Sequence, residues 1–314
     1  MLSYSSTLKH LVLVLLLFAN VAGQTQKKDL NPISAGGGIK PLQNNSARSP
    51  KNQWGLIIGV SNYENKKIRS LNYAASDAKK FYDFLRSKNG NGFLDENDGG
   101  HLKLLTDQDA TKQNITKELN KLNSTTVDDF VIIFYSGHGF IPRDAEDAYV
   151  AATESDSEQV NSLIGIRDII KVASTIKARN VLLLFDACHS GGIRTANGID
   201  FQNPSIDETD RDSQNNLQFL KQANKNIGII TSSSRKQLSW EVAQYGGIFT
   251  HALIEGLSGS ADKPVKGSRR DNSIEFDELL TYLENRVPEL INIELNSSAL
   301  SAVSYTHLTL PTKA

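Results

Sequence analysis

Short apolar runs alternate along this chain with longer amphipathic stretches, and this alternation restricts the possible folds more than any other feature. The two most apolar runs, residues 130–135 and 181–185, are rich in branched and aromatic side chains. Runs of this kind are typical of strands that are buried on both faces of a sheet. Apolar residues recur at helical spacing over 71–85 and 164–176. The pattern predicts an α/β fold, a three-layer sandwich with a mainly parallel central sheet flanked by helices.

The same patterns predict the remaining elements. Thr111 is a candidate N-cap, because its hydroxyl can accept a hydrogen bond from the first turn of a helix over 111–122. A last helix over 273–290 contains Pro288, which we expect to disturb it. The other predicted elements are strands over 54–60, 101–105 and 227–231 and a helix over 249–257.

The amino-terminal residues have the composition of a secretory signal. Lys9 and His10 precede the apolar run 11–19, and small residues follow up to Gly23. This order predicts a signal peptide over 1–23 that is removed after Gly23. The run is short for a bilayer-spanning helix, and an uncleaved anchor is the alternative. We therefore expect an exported protein, secreted or periplasmic, that contacts a membrane only during export.

Changes of composition divide the rest of the chain. Residues 24–52 contain Gly, Ser and Asn without periodicity, which predicts a flexible linker. The alternating pattern then covers one domain over 53–290. Within it, the polar segment 191–226 is long for a connection, and we expect a functional or cleavable loop. Residues 291–314 form a predicted tail, whose end, 301–314, is a candidate for sequence foreign to the natural protein.

Charge and cysteine content narrow the function classes. The formal net charge of -1 gives no excess of basic residues, so we do not expect a nucleic-acid-binding protein. Cys188 is the single cysteine and cannot form an internal disulfide. A lone thiol in an exported protein is either kept for its reactivity or buried as a small apolar side chain.

Polar clusters follow both of the most apolar runs. Residues 136–139 are Ser-Gly-His-Gly, and residues 186–192 are Asp-Ala-Cys-His-Ser-Gly-Gly. Because the carboxyl ends of parallel strands meet at one edge of a sheet, we expect His138 and Cys188 to lie close together. An imidazole beside a thiol favours the thiolate and can later protonate a leaving amine. The backbone N–H groups of Gly139 and Cys188 are candidates for an oxyanion hole.

These two motifs resemble the catalytic blocks of the caspase and metacaspase clan of cysteine peptidases. Cys188 lies 50 residues after His138, the separation found in caspases. Further blocks similar to those of bacterial caspase-domain proteins extend the resemblance over about 53–290. The resemblance implies a caspase-like fold and a cysteine-type endopeptidase without a required cofactor. Such an enzyme forms a thioester with a peptide or protein substrate through Cys188, with His138 as acid and base.

The resemblance also identifies candidates for the pocket that receives P1, the substrate residue before the cleaved bond. Asp186 stands where caspases have a glutamine, and Glu241 where they have an arginine. Asp77 matches a pocket aspartate of metacaspases and paracaspases. Carboxylates at these positions repel an acidic side chain and attract Arg or Lys, so we expect cleavage after basic residues. The alternatives are a solvated helix residue for Asp77 and a loop charge for Glu241.

A basic specificity gives the long loop a further meaning, because the loop then offers sites for self-cleavage. The candidate sites are Arg194, Arg211, Lys221 and Lys225.

Calcium binding is a further expectation from the resemblance to metacaspases, which often use acidic clusters for it. The candidate ligands are Asp144, Glu146, Asp147 and Asp156. Thr195 argues against this expectation, because it stands where metacaspases often have an aspartate.

Two other functions fit the same residues. A non-catalytic caspase-like binding module keeps the fold without the chemistry, and a transpeptidase or ligase transfers the acyl group to an amine instead of water. A metal site formed by His138, Cys188 and His189 is not expected, because their spacing lacks a metal-binding motif.

Overall fold

The structure is a computed structural model. It describes residues 38–39, 50–140, 148–189, 226–232, 241–242, 245–262 and 273–306. At 38–39, 188–189, 226, 241–242 and 294–306 it describes the backbone alone. The predicted signal peptide, most of the predicted linker and nearly all of the predicted loop lie outside the described residues.

Five parallel strands form the centre of the main sheet in the described part of the chain. In spatial order they are β3 (His101–Thr106), β2 (Gln53–Gly59), β4 (Phe130–Phe140), β7 (Asn180–His189) and β8 (Asn226–Thr231). Two short antiparallel strands, β5 (Tyr149–Val150) and β6 (Ile164–Gly165), extend the sheet beside the carboxyl end of β4. The two most apolar strands, β4 and β7, therefore pair with each other at the centre.

Two further strand pairs lie outside the main sheet. β1 (Gly38–Ile39), within the predicted linker, pairs in parallel with β11 (Ser273–Ile274). β9 (Glu241–Val242) pairs antiparallel with β10 (Gly246–Gly247).

Helices cover both faces of the main sheet. One face packs against α2 (Lys112–Lys121) and α3 (Ile166–Thr175). The other face packs against α1 (Ala74–Arg86), α4 (Ile248–Glu255) and α5 (Phe276–Thr306). Successive strand residues contribute to the two separate cores, because side chains alternate between the faces of a sheet. This three-layer α/β sandwich confirms the predicted fold class.

Shorter helical segments complete the described structure. They are the 3₁₀ turns Lys88–Gly90, Glu96–Asp98, Asp107–Asp109, Leu122–Ser124 and Val160–Ser162, and the π-helical segment Gly256–Ser260. Within the described residues, no helix is both long and apolar enough to cross a membrane.

Local contacts set the helix boundaries. Thr111 Oγ1 accepts a hydrogen bond from the Asn114 N–H at 3.1 Å, which confirms the predicted N-cap of α2. α3 begins at Ile166, two residues later than predicted, because Ile164 and Gly165 pair with β5.

The last helix is longer than predicted. α5 continues through Pro288 and includes residues 291–306 of the predicted tail. Proline removes one backbone hydrogen bond from a helix. Val287, Leu290 and Ile291 are buried around it, so packing against the core holds the helix together at this point.

The two central strands are also longer than predicted. Their register begins with Phe130 opposite Asn180 and continues to Gly139 opposite His189. The paired strands satisfy each other's buried N–H and C=O groups, so both chains stay extended through the polar clusters. The apolar runs predicted that these clusters follow the strands. This prediction is wrong, because the clusters lie within the strands.

Candidate active site

The strands that carry the predicted catalytic residues are hydrogen-bonded neighbours. In the register of β4 and β7, His138 lies directly opposite Cys188. Adjacent strands are about 4.8 Å apart, and register partners lie on the same face of a sheet. The backbone therefore places the predicted base beside the predicted nucleophile, whose side chain lies outside the described residues.

A backbone carbonyl orients the His138 ring. Nε2 of His138 lies 2.7 Å from the carbonyl oxygen of Arg69, in the segment between β2 and α1. Because a carbonyl oxygen only accepts hydrogen bonds, Nε2 carries the proton and donates this one. In the neutral imidazole, Nδ1 is then the nitrogen without a proton. This tautomer presents a general base through Nδ1.

Two buried tyrosine hydroxyls hold the backbone of His138. The His138 N–H donates to Tyr63 Oη at 2.9 Å, and the Tyr63 hydroxyl donates to the Val60 carbonyl at 3.1 Å. Tyr135 Oη lies 3.0 Å from the carbonyl oxygen of His138 and 2.8 Å from that of Ala151. Burial raises the pKa of Tyr135 well above its ordinary value, so its hydroxyl remains a donor at working pH.

The segment that supplies Tyr63 is anchored by Asp107. Asp107 Oδ1 accepts hydrogen bonds from the backbone N–H groups of Ser61 and Asn62, each at 2.8 Å. Asp107 itself has a φ of 43°, in the left-handed region that non-glycine residues seldom adopt. Asp107, which follows β3, thus fixes the segment after β2. That segment contains Tyr63, whose hydroxyl contacts His138.

Two of the three predicted pocket carboxylates meet at one glycine. Asp77 in α1 is 2% exposed and accepts a hydrogen bond from the Gly247 N–H at 2.7 Å. Asp186 in β7 is 6% exposed and accepts one from Thr250 Oγ1 at 2.6 Å. A Cβ atom at residue 247 would lie 2.6 Å from Asp77 Oδ2 and 3.0 Å from Asp186 Oδ2. Glycine is therefore needed here because the two carboxylates fill the space.

The strand pairing brings the third pocket candidate to the same place. Glu241 lies opposite Gly247 in the β9–β10 pair, although its side chain lies outside the described residues. Residues from α1, β7 and β9 therefore converge on Gly247. Buried carboxylates require hydrogen bonds or counter-charges, and both Asp77 and Asp186 have them.

A lysine outside the predicted site lies against this cluster. Lys80 follows Asp77 by one helical turn, and its Nζ lies 2.9 Å from Asp77 Oδ1. The same ammonium group donates to the carbonyl oxygen of Tyr245, just before β10, at 3.2 Å. The Lys80 side chain is 49% exposed, so the ammonium group approaches the buried carboxylate from the solvent side.

The structure describes the other predicted site residues only in part. Gly139 lies in β4 opposite Val150 and His189, and its part in an oxyanion hole stays a prediction. The predicted self-cleavage sites Arg194, Arg211, Lys221 and Lys225 lie outside the described residues.

The calcium candidates are only partly described. Asp144, Glu146 and Asp147 lie outside the described residues. The Asp156 carboxylate accepts hydrogen bonds from Asn65 Nδ2, the Glu158 N–H and Gln159 Nε2. Across the described part of the chain, no group of three or more His, Cys, Asp or Glu residues is arranged to hold a metal ion.

Several contacts of the site were not among the sequence predictions. Three of these contacts are made to His138, by the Arg69 carbonyl and by the Tyr63 and Tyr135 hydroxyls. The fourth is made to Asp77, by the Lys80 ammonium group. Of these, only the Lys80 contact has a local signal in the sequence, because residues three apart in a helix are neighbours.

Comparison with known proteins gives a family match. A family model described as the caspase domain matches residues 52–309. No curated protein matches the chain. Solved structures that match the chain include a protein from Geobacter sulfurreducens, at 18% identity and a TM-score of 0.48, covering 73% of this chain and 88% of that one. Caspase-1 from Spodoptera frugiperda is another, at 14% identity and a TM-score of 0.49, covering 77% of this chain and 81% of its own.

The family match covers most of the chain and includes both strands of the candidate site. A caspase domain supports cysteine-peptidase-like function in general, with proteins as substrates. The chain belongs to the caspase-domain family.

Proposed function

We propose that this protein is a cysteine endopeptidase that cleaves peptide bonds after Arg or Lys, with Cys188 as nucleophile and His138 as acid and base. The observation that carries the specificity is the meeting of the buried Asp77 and Asp186 carboxylates at Gly247. Asp186 precedes Cys188 by two residues in the same strand, so the two positions lie on the same face of the sheet.

The proposed reaction uses His138 in both halves. Nδ1 of His138 takes the proton of the Cys188 thiol, and the sulfur attacks the carbonyl carbon of the substrate. The N–H groups of Gly139 and Cys188 stabilise the oxyanion. The imidazolium then gives its proton to the leaving amine, and a thioester remains. Water, deprotonated by Nδ1, attacks the thioester, releases the new carboxyl terminus and restores the thiol.

The pocket charge supports a basic P1 residue. A substrate aspartate would be placed beside two buried carboxylates at an energetic cost, whereas a guanidinium or ammonium group would compensate their charge. A basic side chain can also make charge-assisted hydrogen bonds to carboxylate oxygens. Cleavage after aspartate is thus disfavoured by the same residues that favour cleavage after arginine.

The test compares the purified protein with Cys188→Ala on fluorogenic peptides that differ in P1. We expect cleavage after Arg and Lys, no cleavage after Asp or Asn, and loss of all activity in Cys188→Ala, because no other cysteine is present. Cleavage after Asp but not Arg would overturn the proposed specificity. Absence of Cys188-dependent turnover would favour the non-catalytic binding module, and products joined to an added amine would favour the transpeptidase.

Export, self-cleavage and calcium dependence are proposals that the same preparation tests. The protein recovered from the exported fraction should begin at Gln24, and its mass should fall on incubation through cuts after basic loop residues. A full-length mass with full activity would contradict removal of the signal peptide and self-cleavage. A chelator should lower the activity if calcium is used, and an unchanged rate would contradict calcium dependence.

A further inference from the structure

The carboxylate pair at Gly247 already has a cation beside it. The Lys80 ammonium group is 2.9 Å from Asp77 Oδ1 and 3.2 Å from the Tyr245 carbonyl oxygen. The other oxygen of Asp77 accepts from the Gly247 N–H. Lys80 thus joins α1 to the chain that leads into β10, and it contacts one oxygen of a carboxylate assigned to substrate binding.

The neighbouring lysine shows that this contact is specific to position 80. Lys79 pairs with Asp83, one turn further along α1, at 2.8 Å. Both partners are more than half exposed, at 63% and 53%. Asp77, by contrast, is 2% exposed, so the Lys80 pair has one partner within the protein and one at its surface. The two lysines therefore carry the same charge and lie in the same helix, but their carboxylate partners differ in burial.

We propose that Lys80 is a specificity-determining residue that competes with the P1 side chain of the substrate for Asp77, an inference that rests on the proposed function. A basic P1 side chain that reaches Asp77 must share Oδ1 with the Lys80 ammonium group or displace it. Because Lys80 is half exposed, its ammonium group can move into solvent when a substrate binds. Lys80 thus lowers the affinity for basic P1 residues and keeps the buried carboxylate compensated in the empty enzyme.

The experiment measures kcat and KM for Lys80→Met on two peptides that differ only in P1, arginine against its neutral isostere citrulline. Exposed or half-exposed ion pairs contribute little, so we expect KM for the arginine peptide to fall about two- to fivefold. kcat should stay the same, because Lys80 is not placed at the reacting atoms. The citrulline peptide should show no change in KM, because it brings no charge to Asp77.

Two further variants separate competition from structural support. Lys79→Met removes the same charge from α1 without touching Asp77, and we expect it to match the parent on both peptides. Lys80→Arg keeps the charge and should keep the parental KM. A higher KM for arginine in Lys80→Met would overturn the proposal, since Lys80 would then support the pocket. Equal effects of Lys80→Met and Lys79→Met would also overturn it, whereas a parent enzyme that does not cleave after Arg or Lys would refute the proposed function instead.

Discussion

The peptide group of His138 is held by hydroxyls rather than by charges. Tyr63 accepts from its N–H, and Tyr135 contacts its carbonyl oxygen. Gly137 is needed beside it, because a Cβ atom there would lie 2.4 Å from Tyr135 Oη and 3.1 Å from Tyr63 Oη. A glycine in the Ser-Gly-His-Gly cluster thus has a packing reason, apart from any contact with substrate.

The Tyr63 hydroxyl should matter for the chemical step. In Tyr63→Phe the His138 N–H loses its acceptor, and we expect kcat to fall about tenfold, the equivalent of one hydrogen bond, with KM unchanged. Steady-state kinetics on an arginine peptide measure both constants.

Tyr82→Phe is the matched control for this variant. Tyr82 is also buried and donates to a carboxylate, that of Asp95, but it belongs to the other core, beneath α1, α4 and α5. We expect both variants to lose about 1–2 kcal/mol of the free energy of unfolding, and only Tyr63→Phe to lose kcat. Equal kcat values for the two variants would show that Tyr63 acts on stability alone.

At the scale of elements, the sequence identifies the strands better than their ends. The apolar runs predicted the centres of β4 and β7, because burial on both faces selects such residues. Their extension to Phe140 and His189 depends on pairing between two strands that are 50 residues apart in the sequence, and composition does not encode this pairing. Thr111, by contrast, was predicted as a cap because its partner, Asn114, is local.

In the candidate site, too, the sequence predicted some features and not others. The resemblance to caspases identified Asp186 and Glu241, and that to metacaspases and paracaspases identified Asp77. The structure brings the three positions to one glycine. Several other contacts of the site join distant parts of the chain. Tyr63 and His138 are 75 residues apart, and Lys80 and Tyr245 are 165 apart. Such contacts follow from how the helices and strands pack, and no local pattern signals them.

Pro288 gives a prediction for α5. A proline inside a helix removes a backbone hydrogen bond and crowds the preceding turn. Because the flanking Val287, Leu290 and Ile291 are buried, we expect Pro288→Ala to keep their packing and to raise the free energy of unfolding by roughly 1–3 kcal/mol. Urea unfolding measures the change, and kcat serves as the control. A lower stability would show that the core requires the bend that proline imposes.

At the scale of the whole molecule, the candidate site joins both faces of the sheet. Tyr63 and Tyr135 belong to the core beneath α2 and α3, whereas the segments around Asp77 and Gly247 pack with the core beneath α1, α4 and α5. β4 and β7 lie between the two cores and carry the predicted dyad. Side chains of both cores therefore pack directly against the strands of the candidate site.

Several titratable groups with shifted pKa values contribute to how stability depends on pH. Burial acts to raise the pKa of Asp95, but its hydrogen bonds, led by that from Tyr82, outweigh burial and hold the pKa below its ordinary value. Burial likewise acts to raise the pKa of Glu255, but the hydrogen bond from Arg286 and other interactions outweigh burial and leave this pKa lowered. Burial, followed by a carboxylate hydrogen bond, raises the pKa of Tyr82 and of Tyr282 to about 12.

These shifts predict a stability plateau with losses at both ends. A carboxyl whose pKa is lowered by folding stabilises the protein above its unfolded value, and this contribution is lost as the pH falls below about 4. A tyrosine whose pKa is raised stabilises it below about pH 10, and this contribution is lost as the pH rises toward 12. Burial also lowers the pKa of His251, so its contribution to stability is lost as the pH falls below about 6.5. Urea midpoints should therefore be flat only from about pH 7 to 9 and should fall on either side. Tyr82→Phe removes one shifted tyrosine and the donor that lowers the Asp95 pKa, so its midpoint should fall less steeply than that of the parent at both ends. Parallel curves for the two proteins would contradict this assignment.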